Sequence, residues 1–449
     1  MKNKISFNEK LAFAVGDGGC NFVWTTIGSF LTLYYTDSVG ISAAVIGTIM
    51  LLSRIVDGFS DLGMGVIIDR THTRWGKARP WILWSAIPMG VGLILLFSVP
   101  GSFSSGAKIA YAAISYTIVA AVIYTACNLG YNTLLSLEAP DPKDRVTMSS
   151  IRFFCTMGVV LIINYNTMKL VHKFGWTGMA TIFGLIAVIL LLITFFFTKE
   201  RNFVEVKEEQ NDKDKEKVSI AHSFKILFMN KYFVLISLIF VINYTALGIN
   251  NGIRIYFARD VLGNVALMGT LTLCFILPKM IGNLIYPQIS KLLGKWKSLV
   301  IGYILEMLGV VIMLVMPASL PGTITGLVLL GIGGIPHTAG LFAMVVDVID
   351  YGEWKTGERI DALTYSATSF GMKVGAGLGA AIVGWGLAWG NYNGTLKAQA
   401  VETVNAIKLV FTAVPLALFA IGLVILLFAN IDKIYPQISR DLAERRSNK

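Results

Sequence analysis

The chain reads as an all-α polytopic membrane protein of about twelve transmembrane helices, and three observations predict it. Of its 449 residues, 55% are hydrophobic and only 14% charged, where soluble domains carry roughly 25% charged residues. Apolar runs long enough to cross about 30 Å of hydrocarbon recur along the whole length, giving a mean hydropathy of +0.67. These runs lack the period-two alternation of membrane strands, which sets aside a closed barrel.

In chain order the expected spans are 11–35, 43–68, 81–99, 109–136, 149–168, 178–198, 232–255, 265–289, 299–316, 323–346, 364–389 and 407–431. The first is too long for a signal-peptide core and lacks a cleavage site, so it is expected to stay in the protein. After the sixth span, Lys199 to His222 is a mixed-charge stretch with few apolar residues. Such a stretch cannot bury a core and reads as a cytoplasmic linker. The expected organisation is a six-helix bundle at 1–198, a linker at 199–225, and a second six-helix bundle with a tail at 226–449. A weak internal echo agrees. Trp75-Gly76-Lys77-Ala78-Arg79 follows the second span and Gly294-Lys295-Trp296-Lys297 the eighth, while an acidic cluster precedes Arg145 after the fourth and Arg359 after the tenth. Paired six-helix halves are the layout of transporters that rock around a midplane site.

A net charge of +11 would suggest nucleic acid in a soluble protein, but here its placement explains it. Roughly 27 of the 38 Lys and Arg fall at the N-terminus, in the even-numbered connections and in the C-terminal tail, and roughly six lie on the opposite side. That asymmetry puts both termini in the cytoplasm; a lipid bilayer is the expected partner and nucleic acid is not. The remaining five, Arg54, Arg152, Arg254, Lys279 and Lys373, lie inside spans. Cys20, Cys127, Cys155 and Cys274 all fall inside spans with no CxxC, so packing is expected of them and neither a disulfide nor zinc. The four histidines have no metal-ligand spacing, and only His337, near the GGIP break of the tenth span, lies at membrane depth. No P-loop, nucleophile motif or dinucleotide fingerprint stands out, and no resident cofactor is expected.

The second span carries the sharpest signal. Between Ala43 and Ile68 every side chain is apolar, small or hydroxylic except Arg54, Asp57 and Asp61. Spacings of three, four and seven put all three on one helix face. An ionised group in hydrocarbon costs about 2.5–3.5 kcal/mol even on the lenient insertion scale. Carboxylates that face a cavity and bind something positive would justify that cost. An Arg54–Asp57 salt bridge that merely locks two helices is the plain alternative, and it does not account for Asp61.

Other polar residues line up with the triad. In the first span Asp17 and Asn21 share a face continued by Trp24, Thr25 and Gly28; the fourth carries Tyr124, Thr125, Asn128 and Asn132; the fifth has Arg152; and the eleventh has Lys373 after Thr364, Thr368 and Ser369. Polar side chains at membrane depth face a bundle interior or a water-filled cavity, so these spans are expected to ring a common polar space. Helix-to-helix hydrogen bonding is the alternative for any single Asn or Thr. The glycines at 371, 375 and 379 read as close helix packing.

The block Asp57-Gly58-Phe59-Ser60-Asp61, followed by Asp69-Arg70-Thr71-His72-Thr73-Arg74-Trp75-Gly76-Lys77-Ala78-Arg79-Pro80-Trp81, resembles the glycoside–pentoside–hexuronide:cation symporter family. This is the melibiose-permease branch of the major facilitator superfamily. Gly16-Asp17, Tyr34-Tyr35-Thr36-Asp37, Asp347-Val348-Ile349-Asp350-Tyr351-Gly352-Glu353 and Lys373 in Ser369-Phe370-Gly371-Met372-Lys373 are similar too. The resemblance spans nearly the whole chain and implies the major facilitator fold with alternating access. It implies Asp57 and Asp61 as the coupling-cation carboxylates, with Thr125 as a further ligand and Tyr124 beside it. Ser60 stands where melibiose permeases have Asn, which leaves Na⁺ and H⁺ both open. Arg152 and Lys373 match positions near the sugar and the cation. Galactoside-binding members have Asp where this chain has Asn21 and Asn128, and Trp where it has Asn132; glucuronide carriers resemble this chain in having Asn at the first two positions.

Asp17, Asn21, Tyr124, Asn128, Arg152, Ser369 and Lys373 are thus the candidate sugar-binding residues, with Arg54 and Lys373 as charge partners of the cation site. Two amides in place of carboxylates leave Arg152 and Lys373 to pair with an anionic sugar. The expected activity is therefore cation-coupled symport of a glycoside, pentoside or hexuronide, a glucuronide slightly favoured, in the inner (plasma) membrane. A lysolipid transporter on the same scaffold is the nearest alternative. An intramembrane aspartyl enzyme is the remote one, because both aspartates lie on one helix.

Overall fold

The computed structural model describes residues 5–139, 142–201, 220–396 and 398–447. Residues 202–219 of the expected linker lie outside the described residues. The described chain is helical, without a named strand. Helix α1 is Phe7–Thr26 and runs on through π turns at Ile27–Leu31 and Tyr35–Val39. It is followed by α2 (Ala43–Asp69), α3 (Arg79–Leu96) and α4 (Ser105–Glu138). Pro142–Phe197 is one long helix bent at Gly175, where φ is 71°; its arms are α5 (142–174) and α6 (176–197). A short α7 (Ile220–Met229) leads to α8 (Lys231–Val261), α9 (Leu267–Leu293), α10 (Lys295–Val315), α11 (Leu320–Thr356), α12 (Asp361–Trp389), α13 (Val401–Phe428) and the tail helix α14 (Tyr435–Ser447).

Among the described residues ten helices are long and apolar enough to cross a membrane. The longest makes two passes because of Gly175, and α1 adds another, since its polar stretch from Gly16 to Asn21 lowers its hydropathy without shortening it. Twelve passes result. Where the sequence suggests a loop between the fifth and sixth spans, the chain needs one left-handed glycine, a conformation that costs Gly nothing sterically.

The chain packs into two compact units. The first holds Met1–Glu205, Gly248–Leu273 and Gly377–Lys408; the second holds Val206–Leu247, Cys274–Ala376 and Leu409–Lys449. In the first unit α1 lies along the α5–α6 helix, which also receives α3. An added Cβ at Gly90 would meet the Gly184 carbonyl at 2.9 Å, so α3 and α6 touch backbone to backbone. The start of α3 is capped from a distance: the amides of Lys77, Ala78 and Arg79 donate to the Glu200 carboxylate at 2.8–2.9 Å. Those amides have no helical partner, and a carboxylate there also meets the positive end of the helix dipole. Helix α2 is the reverse of a soluble amphipathic helix. Leu52, Val56, Phe59, Leu62 and Val66 are exposed on its outside, while Ser53, Arg54 and Asp57 are buried.

One polar cluster ties helix ends together within this unit. Asp37 Oδ2 accepts from Arg259 at 2.5 Å, and its Oδ1 accepts from the Tyr392 hydroxyl at 2.8 Å and the Thr36 hydroxyl at 2.7 Å. Arg259 also forks onto Asp260 with two 2.9 Å bonds. Asp37 and Arg259 both sit in π turns. Burial pushes the Tyr392 hydroxyl above its ordinary range.

In the second unit α10 packs against α11 and α13. An added Cβ at Gly309 would meet the Gly326 carbonyl at 2.6 Å, and Gly375 approaches the Val241 carbonyl at 2.5 Å. The expectation of close packing near 371–379 fits Gly375; Gly371 makes only ordinary contact, with Val241 Cγ2 at 3.6 Å. After α11, Arg359 donates to Asp350, Glu353 and Asp361 at 2.7–2.9 Å. Those carboxylates, Asp350 foremost, hold its guanidinium above the usual range.

Candidate functional site

The first unit carries the polar stripe. Asp57 is 1% exposed and Arg54 7%, so both are removed from bulk solvent. Three residues apart on α2, they meet at 3.3 Å, Arg54 Nη1 to Asp57 Oδ2. The other carboxylate oxygen, Oδ1, accepts the Thr125 hydroxyl at 2.7 Å. Thr125 directly follows the π turn Val119–Tyr124, and its hydroxyl lies 3.3 Å from the carbonyl five residues back, at Ala120. The wider turn rotates the following residues relative to an α-helix, and such bulges frequently mark functional sites. Ser53 and Thr117 bond at 2.7 Å and hold α2 to α4 beside it.

The remaining cation-site candidates differ in what they do. Ser60 donates to the main-chain carbonyl of Asp57 at 2.9 Å, so its hydroxyl is spent on its own helix. Asp61 is one turn further along α2 and half-buried.

From Arg54 an aromatic bridge leads to the sugar candidates. The Arg54 guanidinium lies over the Trp24 ring at 3.7 Å from its centroid, a cation–π contact. Trp24 stacks on Tyr124 at 4.3 Å, and the Tyr124 hydroxyl accepts from Asn128 at 3.4 Å. Asn132 donates to Asn128 Oδ1 at 2.9 Å, and Arg152 donates to Asn132 Oδ1 at 2.9 Å. Arg152 then pairs with Asp17 at 3.1 Å, while Thr156 donates to the other Asp17 oxygen. Arg152 also lies over the Tyr131 ring at 4.9 Å, and Tyr131 is braced by stacking on Phe13 at 4.6 Å. Asn21 donates to the Asp17 carbonyl at 2.9 Å, one turn back on α1.

One unbroken line of contacts therefore joins Asp57 to Asp17 through Arg54, Trp24, Tyr124, Asn128, Asn132 and Arg152. The structure brings together the predicted Arg54, Asp57, Thr125, Tyr124, Asn128, Arg152 and Asp17. Ser369 and Lys373 lie half-buried on α12 in the second unit. Sequence reasoning left Trp24 and Asn132 without a role and missed Thr156. Their signals were positional: Trp24 follows Asn21 by three residues, and Thr156 follows Arg152 by four, each on the same helix face. Cys20 and Cys127 meet as thiols at 3.8 Å, agreeing with packing. Among the described residues no group of metal-ligating side chains could hold a resident ion.

Twelve passes and a buried, ion-paired polar stripe define a secondary membrane transporter of the major facilitator type. A family model described as MFS/sugar transport protein matches residues 12–433, and the chain belongs to the glycoside–pentoside–hexuronide:cation symporter family, whose members carry sugars with a cation. It is 34% identical to the isoprimeverose transporter of Lactiplantibacillus pentosus, over 99% of this chain and 93% of that protein. It is 27% identical to a glucuronide carrier protein homolog of Escherichia coli (strain K12), over 99% and 97%. The crystal structure of the nucleoside transporter NupG shares the fold, with a TM-score of 0.64 at 14% identity, covering 93% of this chain and 99% of that one.

Proposed function

We propose that the chain couples inward movement of Na⁺ or H⁺ to uptake of a neutral glycoside or pentoside, with Asp57, Asp61 and Thr125 taking the cation. Asp17, Asn21, Tyr124, Asn128 and Arg152 take the sugar, while Ser369 and Lys373 keep the roles implied by the resemblance. The six-helix halves 1–198 and 226–449 alternate access, in a bacterial inner membrane with both termini cytoplasmic. The observation that carries the cation assignment is the buried Asp57 carboxylate shared between Arg54 of its own helix and the Thr125 hydroxyl of α4. Arg54 answers the carboxylate when no cation is bound, and an arriving cation or proton takes its place. Because Arg54 rests on Trp24, and Trp24 on Tyr124, that exchange alters the tyrosine beside the sugar amides. Each ligand then raises the other's affinity by one shared factor. One monovalent cation crossing 100 mV supplies about 2.3 kcal/mol, roughly a fifty-fold sugar gradient.

The choice of a neutral sugar rests on Asp17. A bias toward a hexuronide requires Arg152 to be available for a sugar carboxylate, and Asp17 already meets Arg152 at 3.1 Å. The 34% identity to an isoprimeverose transporter favours the same choice. A hexuronide is the second reading, favoured by the amides of Asn21 and Asn128. Proteoliposome uptake of isoprimeverose, a methyl xyloside and a methyl glucuronide, under imposed Na⁺ or H⁺ gradients, tests both. Accumulation of a neutral sugar under one gradient is expected. Accumulation of the glucuronide alone would reverse the sugar assignment, and no gradient-driven uptake of any sugar would remove the symport reading.

A further inference from the structure

A second buried ionisable pair lies in the second unit. Helix α10 carries a single carboxylate within its apolar run, Glu306, and α11 carries His337; their side chains are 8% and 5% exposed. His337 Nδ1 lies 3.1 Å from Glu306 Oε2, yet that oxygen and both ring nitrogens are buried without a well-aligned hydrogen bond. Lys279, on α9, approaches the same spot. A Cβ built at Gly334 would stand 3.4 Å from Glu306 Oε1 and 3.5 Å from Lys279 Nζ. Glycine makes the room. A Cβ at Gly333 would lie 2.7 Å from Glu306 Cγ and 2.6 Å from the Gly302 carbonyl, and one at Gly302 would lie 3.3 Å from His337 Cε1.

The other groups facing the pair are few. From α10, Tyr303 lies against the imidazole with ring centroids 4.2 Å apart, its hydroxyl accepting from Asn243 of α8 at 2.9 Å. From α9, besides Lys279, the Tyr286 hydroxyl reaches Gly340, three residues beyond His337. Helix α13 presents Phe419 and Gly422 to Tyr303, with no ionisable side chain from 413 to 428. Ionisable side chains at membrane depth are costly and belong to ion or proton pathways by default. An imidazole is the side chain whose charge changes near neutral pH, and here one lies 3.1 Å from a buried carboxylate.

We propose that Glu306 and His337 form a proton-binding site, on residues other than Asp57 and Asp61, with Lys279 setting the charge against which the proton binds. With the proton on His337, the imidazolium is balanced by Glu306. When it leaves, Lys279 answers the carboxylate. This goes beyond the sugar and cation assignments above and does not depend on them.

The test uses the full chain in nanodiscs with His72, His172 and His222 changed to Gln, so that His337 is the sole imidazole, and ¹⁵N-histidine NMR from about pH 5 to 9. The ring is expected to titrate within that range. Glu306→Gln lowers the midpoint by roughly one pH unit or more, and Lys279→Gln raises it. A ring that holds one protonation state throughout, or a midpoint that neither variant moves, overturns the site. Should Glu306→Gln fail to fold, the upward shift from Lys279→Gln decides alone. No sugar is needed, so this outcome is distinct from any failure of the transport reading.

Discussion

Two aspartate–arginine pairs in the first unit share their chemistry and differ in physics. Asp37 and Arg259 meet at 2.5 Å with side chains 16% and 29% exposed, and Arg259 forks onto Asp260 as well. Asp57 and Arg54 meet at 3.3 Å with side chains 1% and 9% exposed. The shorter pair is half-buried and still partly wet, which moves it toward the roughly 0–1 kcal/mol of surface ion pairs. The longer pair is dry, where removing one partner costs about 3–5 kcal/mol because the other charge is stranded. A tie can be short and cheap to break. A site that must trade an arginine for a transported cation needs burial, so that charge is felt, and a contact loose enough to be displaced.

The largest expected effect follows directly. Asp57→Asn and Asp61→Asn abolish gradient-driven accumulation in proteoliposomes while sugar counterflow, which needs no coupling, persists. Asp37→Asn keeps accumulation. Concentrative uptake by either Asp57 or Asp61 variant would sink the cation assignment, and its loss in Asp37→Asn with binding intact would erase the contrast between the pairs.

The next effect separates two hydroxyls. Thr125 donates to the carboxylate itself and Ser60 to a main-chain carbonyl. Hydrogen bonds to charged groups contribute about 1.5–3 kcal/mol, so Thr125→Val should weaken the cation's activation of uptake about tenfold or more. Ser60→Ala should stay within about twofold. Equal effects would mean that Ser60 swings onto the carboxylate during the cycle.

Trp24 comes third. Its ring lies between Arg54 and Tyr124, and cation–π contacts contribute about 0.5–2 kcal/mol. Trp24→Leu should weaken both cation and sugar, each by roughly 2- to 30-fold, measured as the half-saturating concentration of one at fixed levels of the other. A loss confined to the sugar would reduce Trp24 to a wall of the sugar site and break the proposed relay.

What was legible in the sequence follows the range of the interaction. Arg54 and Asp57 pair because i and i+3 share a face on any helix, so their contact could be read before any fold was known. Thr125 stood out as a polar residue of the fourth span, and its ligand role came from family resemblance; what aims it is the π turn at Val119–Tyr124, for which the residues VAAVIY offer no cue. Asp17 against Arg152, and Arg54 against Trp24, are meetings between helices that depend on how those helices pack. No spacing encodes them. Glu306 is a weaker signal of the same kind: a lone carboxylate in an apolar span, without the neighbouring charges on its own helix that mark Asp57.

The smallest effect is expected at Arg259. Arg259→Gln removes the bonds to Asp37, Asp260 and Tyr392, but water can replace them at these exposures. A loss of about 1 kcal/mol lowers the thermal midpoint by on the order of 2–4 °C, with sugar affinity unchanged. Exchanging the partners sharpens the point. The double variant Asp37→Arg, Arg259→Asp restores the ion pair yet places a new acid beside Asp260, where like charges repel. Stability should therefore return only in part, while accumulation stays at the native level. If the double variant recovers stability fully, Asp260 contributes nothing to the tie. If it loses accumulation, the pair belongs to the coupling machinery, and the distinction between the wet pair and the dry one no longer holds.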